Sequence, residues 1–330
     1  MKNIAQIVPT FFNQCGKMLE FYFPFLASYW DTITRCQIND KVSTLGRYYL
    51  DFRPKYHYPG KFSKEGIPLF QVSNDTEIFH PTVICQYALG IFDFLLDGNY
   101  ADEKLKERFF TQVNWLVQHK QKLDHGYGWY LNYDVPEYRL KYPWISALTQ
   151  GEAISVLCRA YLLSNDNKYL DCAESALVPF EYSVREGGLL NFFNGVRIFE
   201  EYPSQKPNIV LNGYIFAVFG LYDLFLTNSN PIAERLYNNS IESLLKIINY
   251  FDIKYWSQYN LYYYPDLYPA SYTYHNLHVE QLKALYIISK EEIFNNYYHK
   301  WKSYNSNFLY KSKALLKKLI ISFQGLNNSK

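Results

Sequence analysis

The sequence predicts a mainly α protein: an (α/α) barrel or toroid of about four helix hairpins, with a short N-terminal helical and β-hairpin-like arm. Three observations predict it. From about Pro81 onward, apolar residues recur at the 3.6-residue period of amphipathic helices through roughly eight segments. The segments pair through short polar connections such as LLSNDN and LTNSNP, which favour antiparallel neighbours. Between the pairs lie longer loops rich in Gly, Pro and aromatics, at 121–144, 184–208 and 252–274. Loops of that length over a helical scaffold are where a site is expected, gathered at one mouth.

Taken in chain order, residues 1–45 read as mostly helical. Residues 46–75 alternate aromatics with X-Pro turns and three glycines, which predicts short strands or an extended arm. The first helix pair is expected near 81–96 and 101–120, and the second near 145–163 and 166–182. The third is expected near 209–227 and 231–250, where Pro231 suits a first helical turn. The last pair is expected near 275–289 and 291–308. The final thirty residues, Trp301 to Lys330, hold six lysines and no acid, and KSKALLKKLIISF reads as a basic amphipathic helix. Two roles fit it: an ordinary docking helix, or a loose peripheral contact with an anionic membrane surface. No low-complexity linker interrupts the chain. The expected organisation is an arm at 1–75, a catalytic domain at 76–310 and a basic tail at 311–330.

Composition narrows the function. The 330 residues carry 33 Lys plus Arg and 31 Asp plus Glu, a net charge of +2, which argues against a nucleic-acid partner. Charged residues at 19% and apolar residues at 48% argue against disorder. The 34 tyrosines, 24 phenylalanines and 6 tryptophans either fill a core or line a groove for flat, sugar-like ligands. No window of about 18 residues is continuously apolar; the stretch from Tyr214 to Leu226 is too short and carries Asp223. Asn13, Gln14, Lys17 and Glu20 interrupt the N-terminal segment, so no signal peptide is expected. Cys15, Cys36, Cys85, Cys158 and Cys172 are odd in number and scattered in spacing. They fit free thiols in a reducing cytoplasm, at most at the inner face of the membrane.

Three stretches stand out as carriers of chemistry: 142–163, 199–224 and 259–282. Glu200 and Glu201 precede a helix, where adjacent acids serve as solvated groups, caps or catalysts. His275 and His278 share a helix face at i,i+3, but no third ligand at a metal-site spacing accompanies them, so no metal is expected. The G-x-S-x-G elbow, the P-loop and the Rossmann glycine fingerprint are absent, and no cofactor is expected.

At these stretches the chain resembles the heparosan D-glucuronyl C5-epimerase family. The pattern W-x-S-A-x-x-Q-G-x-A-I-S-x-L-x-R-A-Y-L-L runs from Trp144 to Leu163, through Gln150, Gly151 and Arg159. E-E-Y-P follows at 200–203, V-L-N-G at 210–213 and G-L-Y-D-L at 220–224. Y-H-x-x-H-x-x-Q-L lies at 274–282 and W-K-S-Y at 301–304. The resemblance covers about residues 66–305. It implies an (α/α) barrel of four helix hairpins. The β-sandwich-like insert of animal members has no room here, which implies a compact bacterial-type member. It also implies a homodimer and an acidic, capsular or heparosan-like polysaccharide as substrate.

C5 epimerisation removes a proton α to a carboxylate. That chemistry needs cationic or hydrogen-bonding groups on the carboxylate and proton-transfer groups on both faces of the sugar. Tyrosine can serve if neighbours lower its pKa. The resemblance implies Tyr202, Glu201, Tyr259 and Tyr274 as acid–base residues, with Gln150, Asn212 and, more weakly, His275 as substrate contacts. Where the family has Y-D-L-R-H this chain has Y-N-L-Y-Y at 259–263, so Tyr262 stands at the position of an arginine expected to grip the carboxylate. An arginine ahead of the last tyrosine is likewise Ser271, and Tyr262 or Tyr263 could take the place of Tyr259. Losing a bidentate clamp is not conservative. Another cation is then expected, with Arg53, Lys55, Arg139 and Arg197 as loop candidates. Alternatives are a different uronate polymer, a polysaccharide lyase that begins with the same proton abstraction, or a glycan-binding homologue without catalysis.

Overall fold

The computed structural model describes residues 30, 32, 34–39, 42–73 and 75–328, with side chains to residue 321. The helix expected over 1–45 lies largely outside the described residues. Where the chain is described before residue 52 it is irregular, bent at 44–49, with Cys36 bridged to Leu50, and not helical. The physical reason is the anchoring of this stretch along a helix flank. Asp93 accepts from the Gln37 side chain at 2.8 Å and from the Tyr48 and Phe52 amides at 3.4 and 3.3 Å, and these bonds hold the irregular backbone in place.

The arm continues through a 3₁₀ turn at Arg53–Tyr56 and a hairpin of β1 (Leu69–Ser73) and β2 (Thr76–Phe79). Helix α1 (Pro81–Asp97) begins with Pro81, whose missing N–H costs nothing in a first turn. Its partner α2 (Glu103–His119) is capped by Asp102, which accepts from the Lys104 and Leu105 amides. The small ribbon of β3 (Gln121–Lys122) and β4 (Tyr127–Gly128) opens the first long loop. Then come α3 (Ala147–Ser164) and α4 (Asn167–Ser175). The fourth helix was expected to reach residue 182. It stops at Ser175, and the chain turns into a 3₁₀ segment containing Pro179.

The hairpin of β5 (Leu190–Phe193) and β6 (Val196–Phe199) leads through an irregular loop to α5 (Leu211–Asn228) and α6 (Pro231–Ile247). Asn230 caps α6 ahead of Pro231. Helices α7 (Tyr272–Ser289) and α8 (Glu292–Ser306) form the last pair, and α9 (Phe308–Asn328) packs on α8.

The protein is therefore mainly helical, and the pairing is sequential. Each odd helix packs on its own partner, and α1, α3, α5 and α7 also pack one against the next. The α3–α5 seam is the closest. A Cβ on Gly151 would stand 2.5 Å from the Ala217 Cα, and one on Gly220 would overlap the Gly151 carbonyl. Between the same helices Arg159 makes a buried 2.6 Å ion pair with Asp223, and the Tyr49 hydroxyl donates to Asp223 at 2.8 Å. Much of the 144–163 motif is thus a packing seam. Cys36, Cys85, Cys158 and Cys172 are buried free thiols, and Cys15 lies outside the described residues. Among the described residues no helix is long and apolar enough to cross a membrane.

Candidate active site

A cavity of about 400 Å³ opens between the arm, the N-terminal ends of α1, α3, α5 and α7, and the loops that precede them. Each wall owes its side chains to a local feature. On the α1 side, His80 and Pro81 start the helix, and the His80 Nε2 shares a 3.2 Å hydrogen bond with the Tyr133 hydroxyl. Tyr133 belongs to the first long loop, where Leu131 and Trp144 pair by backbone hydrogen bonds of 2.7 and 3.2 Å and all three line the cavity.

The acidic pair splits. Glu200 is wholly buried and faces away from the cavity. Its carboxylate accepts from the amides of Asn208 and Ile209 and from the Asn191 side chain, each at 3.0 Å, and its carbonyl accepts from the Ala147 amide at the start of α3. Ile209, buried and β-branched, is held at φ +39°, a strained conformation that these bonds stabilise. The strained turn brings the chain back so that Glu201 lies on the first turn of α5. A Cβ on Gly213 would overlap the Glu201 carboxylate, so only glycine fits beneath it. Glu201 is 8% exposed and lines the cavity. Its Oε2 has no hydrogen-bond partner among the described residues, and burial pushes its carboxyl up to about 8.

Tyr202 lies against the Glu201 carboxylate and packs between Tyr138 (4.7 Å between ring centroids) and Trp144 (5.4 Å). Tyr274 enters from the first turn of α7, whose cap is Ser271: the serine Oγ accepts from the Tyr274 amide at 3.3 Å. Tyr259 stands edge-on to Tyr274 at 4.9 Å, behind it relative to the cavity. Of Tyr259, Tyr262 and Tyr263, only Tyr259 meets Tyr274 in this way. Tyr262 packs edge-on to Tyr138 with Lys206 over its ring, and Tyr263 is exposed and donates to Glu137 at 3.0 Å. A lowered pKa would help a tyrosine serve as a base. Burial, reinforced by nearby charge on Glu201, instead holds the Tyr202 and Tyr259 phenols well above their ordinary value.

Five expected contacts, Gln150, His275, Arg53, Arg139 and Arg197, do not line the cavity. Gln150 is buried as a clamp: its side-chain N–H₂ donates to the Tyr127 and Ala176 carbonyls at 3.1 and 3.2 Å, and its oxygen accepts from the Trp129 amide. His275 stacks on Trp256 at 3.8 Å. Its Nδ1 accepts from the Ser257 amide, and its Nε2 donates to the Trp301 carbonyl. Ser257 Oγ bonds both His275 Nδ1 and His278 Nδ1, so the two imidazoles share a serine across the helix face. Burial pushes His275 down to about 3. Among the described residues no three His, Cys, Asp or Glu side chains converge as a metal-ligand set. Arg53 pairs with Asp51 and Asp97 on the outer side of α1, and Arg139 and Arg197 are exposed. Charged guanidinium groups that can reach surface carboxylates or water gain nothing from burial in the cavity.

Asn212, by contrast, lines the cavity with its Oδ1 unpartnered among the described residues; its backbone carbonyl accepts from Gln281 at 3.0 Å. His80 Nδ1 and Gln86 Oε1 are likewise buried, unpartnered and at the cavity wall. Lys55 completes the wall from the arm. His80, Gln86 and Tyr133 were not singled out in the sequence. A histidine directly before a helix-starting proline, in IFHPT, is the one local signal that could have marked His80.

Comparison with known proteins bears on these residues directly. The family model described as the D-glucuronyl C5-epimerase C-terminus matches residues 123–303, which contain Glu201, Tyr202, Asn212, Tyr259 and Tyr274. The chain is 33% identical over 223 residues to a D-glucuronyl C5-epimerase of Caenorhabditis elegans, covering 61% of this chain and 35% of that protein. It is 33% identical over 183 residues to an uncharacterized protein of Methanocaldococcus jannaschii, covering 53% of this chain and 56% of that one. The chain thus spans about a third of the first relative's length and about half of the second's.

Proposed function

The chain belongs to the D-glucuronyl C5-epimerase family, and on that premise we propose that it inverts C5 of D-glucuronate residues within an acidic polysaccharide, giving L-iduronate. The observation that supports this reading is the convergence of Glu201, Tyr202, Tyr274 and Asn212 on one cavity, beside buried polar atoms without partners among the described residues. Buried polar groups in a finished core are paired; groups left open along one cavity suit a hydroxylated ligand. The aromatic rings of Trp144, Tyr133 and Phe70 supply apolar faces for a sugar ring. The helix hairpins are arranged, in this reading, as the inner and outer layers of a toroid whose mouth holds the cavity.

In the proposed mechanism Tyr202 works with Glu201. As the Tyr202 oxygen takes the C5 proton, its own phenolic proton passes to the ionised Glu201 carboxylate. The C–H electron pair moves into the C5–C6 bond and the carboxylate becomes an enediolate. A phenol held well above its ordinary pKa gives a strongly basic phenolate, which suits a weak carbon acid. A carboxyl near 8 is close to the working pH, so Glu201 can both accept and return the proton. Tyr274 donates to C5 from the other face, which inverts the centre.

The test is NMR of a heparosan-type polymer incubated with the protein in D₂O. Loss of the C5 proton signal with new iduronate resonances is the expected result. A product absorbing in the ultraviolet would instead mean elimination by a lyase. Neither change, with any uronate polymer, would remove the epimerase assignment.

A further inference from the structure

We infer that α9 docks on an anionic lipid surface, lying along the membrane interface with Leu309, Leu316 and Ile320 set into the lipid. The inference is independent of the epimerase reading above. A surface helix of a globular protein normally turns its apolar stripe toward the core. Helix α9 does this with Ala314 and Leu315, which are buried, and with Tyr310 and Leu319, which pack against the core. It also carries a second apolar stripe that faces outward. Leu309, Leu316 and Ile320 are 74%, 59% and 43% exposed.

Helix geometry makes these three a single patch. At about 100° per residue they fall within about 40° of one another, and about 120–140° away from Ala314 and Leu315. One exposed leucine on a helix is ordinary. Three large apolar side chains in line, with Phe308 exposed at the head of the same helix, form a contiguous patch of the kind that marks an interaction surface.

Charge indicates what the stripe meets. Lys313 and Lys317 border it along one edge. The Lys313 Nζ lies 4.2 Å from the centre of the Tyr255 ring, a contact that fixes the ammonium at this edge without neutralising it. From Trp301 to Lys330 there are six lysines and no acid. Apolar side chains at the acyl boundary with lysines at the level of the headgroups is the arrangement of an interfacial helix, and anionic headgroups complement its single sign of charge. Among the described residues no helix is long and apolar enough to cross a membrane, so α9 is suited to lie on the surface.

The head of α9 is also placed beside the cavity. The Lys311 Nζ lies 4.8 Å from the centre of the ring of Tyr272, the first residue of α7, and the same turn of α7 carries Tyr274 to the cavity wall. Docking through α9 therefore holds the mouth of the cavity near the bilayer.

The experiment is co-sedimentation of the full chain with vesicles of phosphatidylcholine alone and of phosphatidylcholine mixed with phosphatidylglycerol. Wild-type protein is expected to sediment with the mixed vesicles and not with the neutral ones, and to be released by high salt, which screens the lysines. Leu309→Ser and Leu316→Ser are each expected to weaken binding to the mixed vesicles by ~10-fold, the effect of withdrawing one leucine side chain from an apolar environment. Lys317→Gln is expected to weaken it by ~5-fold, the share of one lysine near an anionic surface. No wild-type binding overturns the inference. So does equal binding to both kinds of vesicle, or wild-type affinity in the folded leucine variants. If the serine variants do not fold, Lys317→Gln decides, and unchanged binding in that variant overturns the inference. A second copy of the chain is the competing occupant: light scattering that shows a wild-type dimer and a Leu316→Ser monomer also overturns it. Because no polymer enters the assay, it answers for α9 whatever the D₂O exchange shows.

Discussion

Glu200 and Glu201 are adjacent in the chain, both buried and both with carboxyls pushed up to about 8 by burial, yet they belong to two different regions of the molecule. Glu200 sits in the loop frame, where three N–H groups converge on it. Glu201 sits on the cavity wall, over a bare glycine, with one oxygen unpartnered among the described residues. The same residue type, similarly desolvated, is architecture in one place and, in the proposed mechanism, a reactive group in the other. What separates them is whether the backbone supplies partners. On a larger scale, the α3–α5 seam is closed by an ion pair between two protein groups, Arg159 and Asp223, whereas His80, Gln86 and Asn212 bring atoms unpartnered among the described residues to a cavity wall.

The sharpest way to break this contrast is at the cavity. Glu201→Gln and Tyr202→Phe should each lower C5-proton exchange by ~10²–10⁴-fold, the range for removing general acid–base catalysis, with the thermal midpoint nearly unchanged. Loss of folding in either variant would erase the distinction drawn here. In the seam the pattern should reverse. Arg159→Met leaves Asp223 buried without its cation and should cost about 3–5 kcal/mol in denaturant unfolding, while exchange per folded molecule stays near wild type.

Gly213→Ala joins the two regions. Its Cβ has no room beneath Glu201, so exchange should fall at least ~10-fold, since small displacements of a catalytic group are costly, with stability altered much less. The smallest effect is in pH. Glu201 has a folded value near 8 against an ordinary 4.5, so its neutral form is favoured on folding. Its contribution to stability is full below about pH 4.5 and is lost as pH rises through about 8. Chemical denaturation from pH 4 to 9 should show that decline in wild type, and Glu201→Gln should lack its share of it.

How much of this could be read from the chain depends on the kind of contact. The helices were legible because their apolar faces repeat, and α1, α3, α5 and α7 begin within a few residues of the expected positions. The short α4 was not, because a proline-containing turn can either end a helix or follow one. Within the site, Glu201, Tyr202, Tyr274 and Asn212, which the motifs single out, line one cavity. Gln150 and His275 sit in the same motifs but do not line the cavity, their side chains being bonded to protein groups. A polar side chain that clamps a turn and one that faces a ligand look identical in sequence, and only the direction of the side chain separates them. Arg53 and Lys55 show the limit most plainly: two cations two residues apart, one paired with Asp51 and Asp97, the other at the cavity wall.

One further consequence concerns time. The cavity is closed by the arm at one end of the described chain and by Tyr274 and Leu277 near the other. The arm is strapped down by contacts of great sequence separation: the Cys36 amide donates to Glu280, and the Tyr222 hydroxyl donates to the Val42 carbonyl. The helix pairs, in contrast, are local. Long loop closures are paid late in a folding reaction. During refolding, helical circular dichroism should therefore recover before polymer binding does, with the interval between the two marking the moment at which the arm closes over the cavity.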